Sequence, residues 1–152
     1  MKSDDIIEIP FELDSKEGWP PFNVEWLWCR NLKNEIFIIE SSPYFIKNLS
    51  KFDMVCLNFD DNKNVVSWKL LKESDHSTIW MMTFEGVDCS EILKQFANIG
   101  CRIETLEAFS LSSIDVPGHV SYVSVDEIID SVDGDDRYCF AFPCDRQSPI
   151  CN

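Results

Sequence analysis

The stretch DCSEILKQFANIG, from Asp88 to Gly100, decides how the second half of the chain is read. Asp88 followed three residues later by Glu91 marks a capped helix start, where side-chain oxygens satisfy the first free backbone N–H groups. Gly100 supplies the stop, because helices commonly end on a residue in the left-handed conformation. Between those signals Ile92, Leu93, Phe96 and Ile99 recur at helical spacing, which gives the segment one apolar face. On its near side, residues 77–84 read as a strand. On its far side, residues 102–112 and 120–123 read as two strands divided by the Pro117-Gly118 turn. A second box, Ser124 to Glu127, opens a helix that Gly134 closes, with Val125, Ile128, Ile129 and Val132 as its buried stripe. Residues 138–142 form a last strand. The resulting order βαββαβ is the ferredoxin-like arrangement.

The first half has a different rhythm. Residues 6–13 form a short apolar run whose Pro10, lacking a donor for the ladder, suits an edge strand. After the turn-rich Gly18-Trp-Pro-Pro21, residues 23–30 place Val24, Trp26 and Trp28 on one face. Residues 35–40, 53–59 and 65–71 follow as strands, separated by polar turns at 31–34 and 60–64. Short strands so spaced predict a small curled sheet or barrel. The fold class expected is therefore α+β, a β-rich subdomain over residues 1–75 packed on a ferredoxin-like subdomain over 76–152. Trp26, Trp28, Trp68 and Trp80 lie in strand patterns and are expected in the core, whereas Trp19 beside two prolines is expected at the surface.

Composition narrows the classes of function. The 152 residues are 45% hydrophobic and 12% aromatic, enough for a packed interior. Net charge is −14, which disfavours nucleic acid or an anionic membrane as a direct partner and favours a basic protein. The start carries Asp4 and Asp5 where a signal peptide places bases. No run of about 18 apolar residues is present to span a bilayer. Seven cysteines, without paired spacing, read as reduced thiols of a cytoplasmic protein. Cys139, Cys144 and Cys151 stand too far apart for the usual zinc pairs, so neither metal nor cofactor is expected.

The acids have their own distribution. From Ile103 to Asp136 there are nine acids and no Lys or Arg. A calcium loop is one reading, but aligning Gly134 with the sixth position puts Ile129 first, Ser131 third and Phe140 twelfth, where oxygen ligands are needed. The segment reads instead as an amphipathic helix and turn with its acids toward solvent. Glu127, Asp130, Asp133, Asp135 and Asp136 are the candidate partner-binding residues. Among groups for acid–base chemistry, His76 sits in Ser74-Asp-His-Ser-Thr78, and His119 follows the Pro-Gly turn as an exposed residue. Glycine-rich phosphate cradles are absent.

A set of short motifs carries a family likeness: Trp19-Pro-Pro21, Glu25-Trp-Leu-Trp28, Ser42-Pro-Tyr-Phe45, Leu49-Ser-Lys-Phe-Asp-Met-Val55, His76-Ser-Thr-Ile79, Gly100-Cys-Arg-Ile-Glu104 and Asp115-Val-Pro117. By these, residues 6–143 resemble a bacterial family of unknown function, number four thousand two hundred and sixty-five in the domain-of-unknown-function series. Phe52 departs from the pattern, standing where such chains tend to have Gly. In character, though not by motif, the chain is similar to immunity proteins of contact-dependent growth inhibition systems. The reading drawn is an immunity protein, not an enzyme, whose acidic face covers the active site of a basic, nuclease-like toxin. The alternative is a small cytosolic enzyme or ligand-binding domain using a cleft near His76.

Overall fold

Alternation along Val24–Lys33 sets up the first half of the molecule. In the computed structural model, which describes residues 5–14 and 16–147, Glu25, Leu27 and Cys29 point inward while Trp26 and Trp28 point out. The strands β1 (Ile6–Glu12), β2 (Val24–Lys33), β3 (Ile36–Ile39), β4 (Met54–Phe59) and β5 (Val65–Lys72) close into a barrel. Successive strands pair antiparallel, and a parallel bridge between Phe11 and Val65 completes the closure. Pro10 is tolerated because β1 ladders fully with β2 alone and meets β5 at that one bridge.

The expectation that Trp26 and Trp28 lie in the core is corrected: they are 56% and 47% exposed, while Leu27 between them is 1% exposed. A narrow five-stranded barrel is filled by residues of the size of Ile9, Leu27, Ile39, Val55 and Leu57, leaving bulky indoles the outer face. Trp68 and Trp80 are half-buried, and Trp19 is exposed as read.

Two buried carboxylates pin the barrel's loops. Glu25 accepts hydrogen bonds from the backbone N–H of Tyr44 at 2.7 Å and of Phe45 at 3.0 Å. Asp53 accepts from Ser50 N–H at 2.9 Å and Ser74 N–H at 2.8 Å. The Phe45 ring in turn meets Trp19 edge-on at 5.7 Å. The motifs of the first half thus serve as loop anchors, satisfying backbone donors that would otherwise be buried without partners.

The chain divides into two units, Met1–Ser74 and Asp75–Asn152. The second contains β6 (Ser77–Thr83), α1 (Ser90–Asn98), β7 (Arg102–Leu106), β8 (Leu111–Val116), α2 (Tyr122–Asp130) and β9 (Tyr138–Cys144), with the antiparallel sheet order β7-β8-β6-β9. Ile92 and Phe96 of α1, and Val125 and Ile128 of α2, enter one core with Ile79, Met81, Ile114 and Val116. With a barrel in one unit and a two-helix sheet in the other, the protein is α+β.

Four local expectations are corrected here. Helix α1 begins at Ser90 rather than on a box from Asp88; Asp88 instead accepts from Ser90 N–H at 3.0 Å and from its hydroxyl at 2.7 Å, forming a turn ahead of the helix. The run 102–112 is two strands, broken by a 3-10 turn at Glu107–Phe109 and by Ser110 at φ 50°. Residues 120–123 are no strand. Ser121 caps α2 by accepting from Val123 N–H at 3.1 Å, so Tyr122 and Val123 form its first turn despite their β preference, and the expected box from Ser124 to Glu127 does not form. Gly100 ends α1 at φ 109°, with its N–H on Ala97 O and Cys101 N–H on Phe96 O.

Candidate functional site

Two features of the second unit carry chemistry: the acidic outer side of α2 with its following turn, and a cavity under α2. Val125 and Ile128 turn toward the sheet, which leaves Asp126, Glu127 and Asp130 outward. Asp133 and Asp136 are exposed in the turns beyond, where Gly134 adopts φ 81°. Asp135 differs from its neighbours. Arg137 folds back on it, Nε to Oδ1 at 3.0 Å and Nη2 to Oδ2 at 2.7 Å, and its backbone N–H adds a third bond at 3.0 Å. The guanidinium hydrogen bonds first, then the backbone N–H, hold the Asp135 carboxyl down at about 2. Of the five expected partner-binding acids, four present carboxylates outward, while Asp135 is engaged in building the turn.

His76 and Ser77 face different surroundings. The His76 ring places Nδ1 at 2.7 Å from Oδ1 of Asp115, a carboxylate buried in the central strand β8. Oδ2 of Asp115 has no hydrogen-bond partner among the described residues. Burial, and then the charge of Asp115, push the Cys101 thiol up to about 12, which disfavours the thiolate. Cys29 in the barrel is likewise pushed up to about 12, by burial and by Glu40. Ser77 Oγ accepts from Arg146 N–H at 2.6 Å and bonds the Gln147 side chain, whose Nε2 donates to Val116 O at 2.9 Å. These bonds tie the segment after β9 to the start of β6.

Ser77 does border a cavity of about 200 Å³ within the second unit. Ile79, Val116, Val125, Ile129 and Cys144 give it apolar walls, and Tyr122, Asp126, Phe142 and Asp145 stand among its lining groups. Spacing along the chain does not reveal this cavity, because Tyr122, Phe142 and Gln147 lie in separate segments and share no motif. Six cysteines, Cys29, Cys56, Cys89, Cys101, Cys139 and Cys144, carry free thiols, and Cys151 lies outside the described residues. Among the described residues no group of three or more His, Cys, Asp or Glu is placed to hold a metal, and no helix is long and apolar enough to cross a membrane.

Comparison with known proteins adds family and fold. Residues 25–137 match the family described as Domain of unknown function (DUF4265). No curated protein matches the chain. A solved structure described as that of a hypothetical protein from Neisseria gonorrhoeae superposes with a TM-score of 0.69 at 16% identity, covering 95% of this chain and 96% of that one. That likeness concerns the fold alone.

Proposed function

The chain belongs to the DUF4265 family, and we propose that it is an immunity protein that binds a basic, nuclease-like toxin domain and covers its active site with an acidic face. One observation carries the reading: the acids of α2 are arranged against the stability of the helix. Asp130 lies in the last turn, where the helix dipole disfavours a negative charge, and Asp126 stands four residues before it with the same sign. No base occupies that last turn. Acids that serve only solubility have no reason to gather where they cost most. As partner-binding groups, Glu127, Asp130, Asp133 and Asp136 would occupy positions that nucleic-acid phosphates take in the toxin, with Asp135 shaping the turn that holds them.

The ferredoxin-like reading of the second unit belongs to the same proposal, supported by a βαββαβ chain order with antiparallel sheet order β7-β8-β6-β9. We place the protein in the cytoplasm, where such a toxin would act. The test is inhibition. A basic toxin domain encoded beside the gene for this chain is purified and its cleavage of nucleic acid followed with added chain. Loss of cleavage at one-to-one stoichiometry is expected; undiminished cleavage with excess chain would remove the proposal.

A further inference from the structure

We propose that the cavity under α2 is a binding site for a small organic cation with an apolar body, of the class of primary alkylammonium ions. The inference is independent of the immunity reading and rests on the shape and chemistry of the cavity.

Its volume, about 200 Å³, exceeds the roughly 150 Å³ that suffices for benzene in an apolar protein cavity, so a body of about six to eight non-hydrogen atoms fits. The walls are aliphatic, from Ile79, Val116, Val125 and Ile129, and offer nothing to hydrogen bond. Ser77 and Gln147 of the lining already satisfy one another and nearby backbone groups, so they do not call for a polar ligand head. The ligand's charge must therefore sit elsewhere. Among the described residues, Asp126 and Asp145 are the carboxylates of the lining, both exposed, and no Lys, Arg or His lines the cavity. Asp145 Oδ1 receives the Gln147 N–H at 3.3 Å, and Asp126 on α2 supplies the second negative charge. Arg146, next in the chain, turns its Nη1 toward the His76 carbonyl at 3.4 Å. Tyr122 and Phe142 are aromatic members of the lining, and an aromatic face attracts an ammonium group. An anion of the same size would meet carboxylates without compensation, and a neutral alcohol would gain the walls but not the charge.

The test uses the whole chain isotopically labelled for NMR, titrated with hexylammonium, hexanol and hexanoate. The expected result is saturable shifts at Tyr122, Val125 and Ile129, with hexylammonium binding most tightly and hexanoate least. Adding salt, or the exposed substitution Asp126→Asn, should weaken hexylammonium about two- to fivefold and leave hexanol unchanged. No saturable shifts with hexylammonium would overturn the site. Equal affinity for hexylammonium and hexanol would overturn its selectivity for cations. Because the three ligands are compared on the unaltered chain, neither result depends on whether a variant folds.

Discussion

Phe52 stands at φ 72°, where a Cβ crowds the backbone at a cost of about 1–2 kcal/mol. Its position before Asp53 is fixed by the hydrogen bonds that Asp53 makes to Ser50 and Ser74, so the strain cannot relax. A Gly would adopt this conformation without that strain. Phe52→Gly removes the strain but adds freedom to the unfolded chain worth about 0.5–1 kcal/mol, and loses the contact of Lys51 with the ring at 5.1 Å. The expected change is within about 1 kcal/mol. Phe52→Val, β-branched in the same conformation, should destabilise by about 1–3 kcal/mol; denaturant titration of both variants measures the contrast, and equal stabilities would contradict it. Asp135 supplies a second residue-level expectation. Its folded pKa, about 2, lies below the ordinary 3.8, so the stabilisation is complete above about pH 4 and is lost as the pH falls toward 2. Replacing Arg137 with Gln should return the Asp135 carboxyl toward 3.8, read from its carbon shift in an NMR titration. A pKa still near 2 would show that the arginine is not the cause. The pairing was legible in principle: the count of acids without a base stopped one residue short of Arg137.

Among the elements, α2 is where sequence and structure part most. Its stripe of Val125, Ile128, Ile129 and Val132 is plain from spacing, and those residues do pack on the sheet side. Its start is not plain. Tyr122 and Val123 have β preferences, and Ser124 with Glu127 imitates a capping box, yet Ser121 is the residue whose hydroxyl meets a free N–H. Local propensity gives way here to the burial of Val120 and Val125, which fixes where the chain turns. The barrel shows the same limit. Alternation in β2 separates two faces but cannot say which is inside, and the small bore settled that against the tryptophans. The cavity was less legible still, since its lining gathers residues from Ser77 to Gln147. The misplaced charge on α2 makes its own prediction. Asp130→Asn should raise stability by about 0.3–1 kcal/mol, through the helix dipole and the spacing to Asp126. Thermal unfolding at low salt measures it; a loss of stability would mean that Asp130 serves the fold instead.

Across the whole molecule, the net charge of −14 sets the terms on which any partner approaches. A field of one sign speeds encounter with a basic protein and is damped by salt. The carboxylates at Glu127, Asp130, Asp133 and Asp136 are exposed, so their removal leaves both cores, formed by apolar residues, untouched. That separation makes the account testable without ambiguity from unfolding. The most direct measurement takes a chain with Glu127, Asp130, Asp133 and Asp136 replaced by Gln or Asn, its fold checked by circular dichroism, and follows association with the basic toxin domain at two salt concentrations. Slower association and a flatter salt dependence are expected, with a loss of about 2–5 kcal/mol at any acid buried against a partner base. Unchanged affinity together with an unchanged salt slope would contradict the account and leave these acids a role in solubility alone.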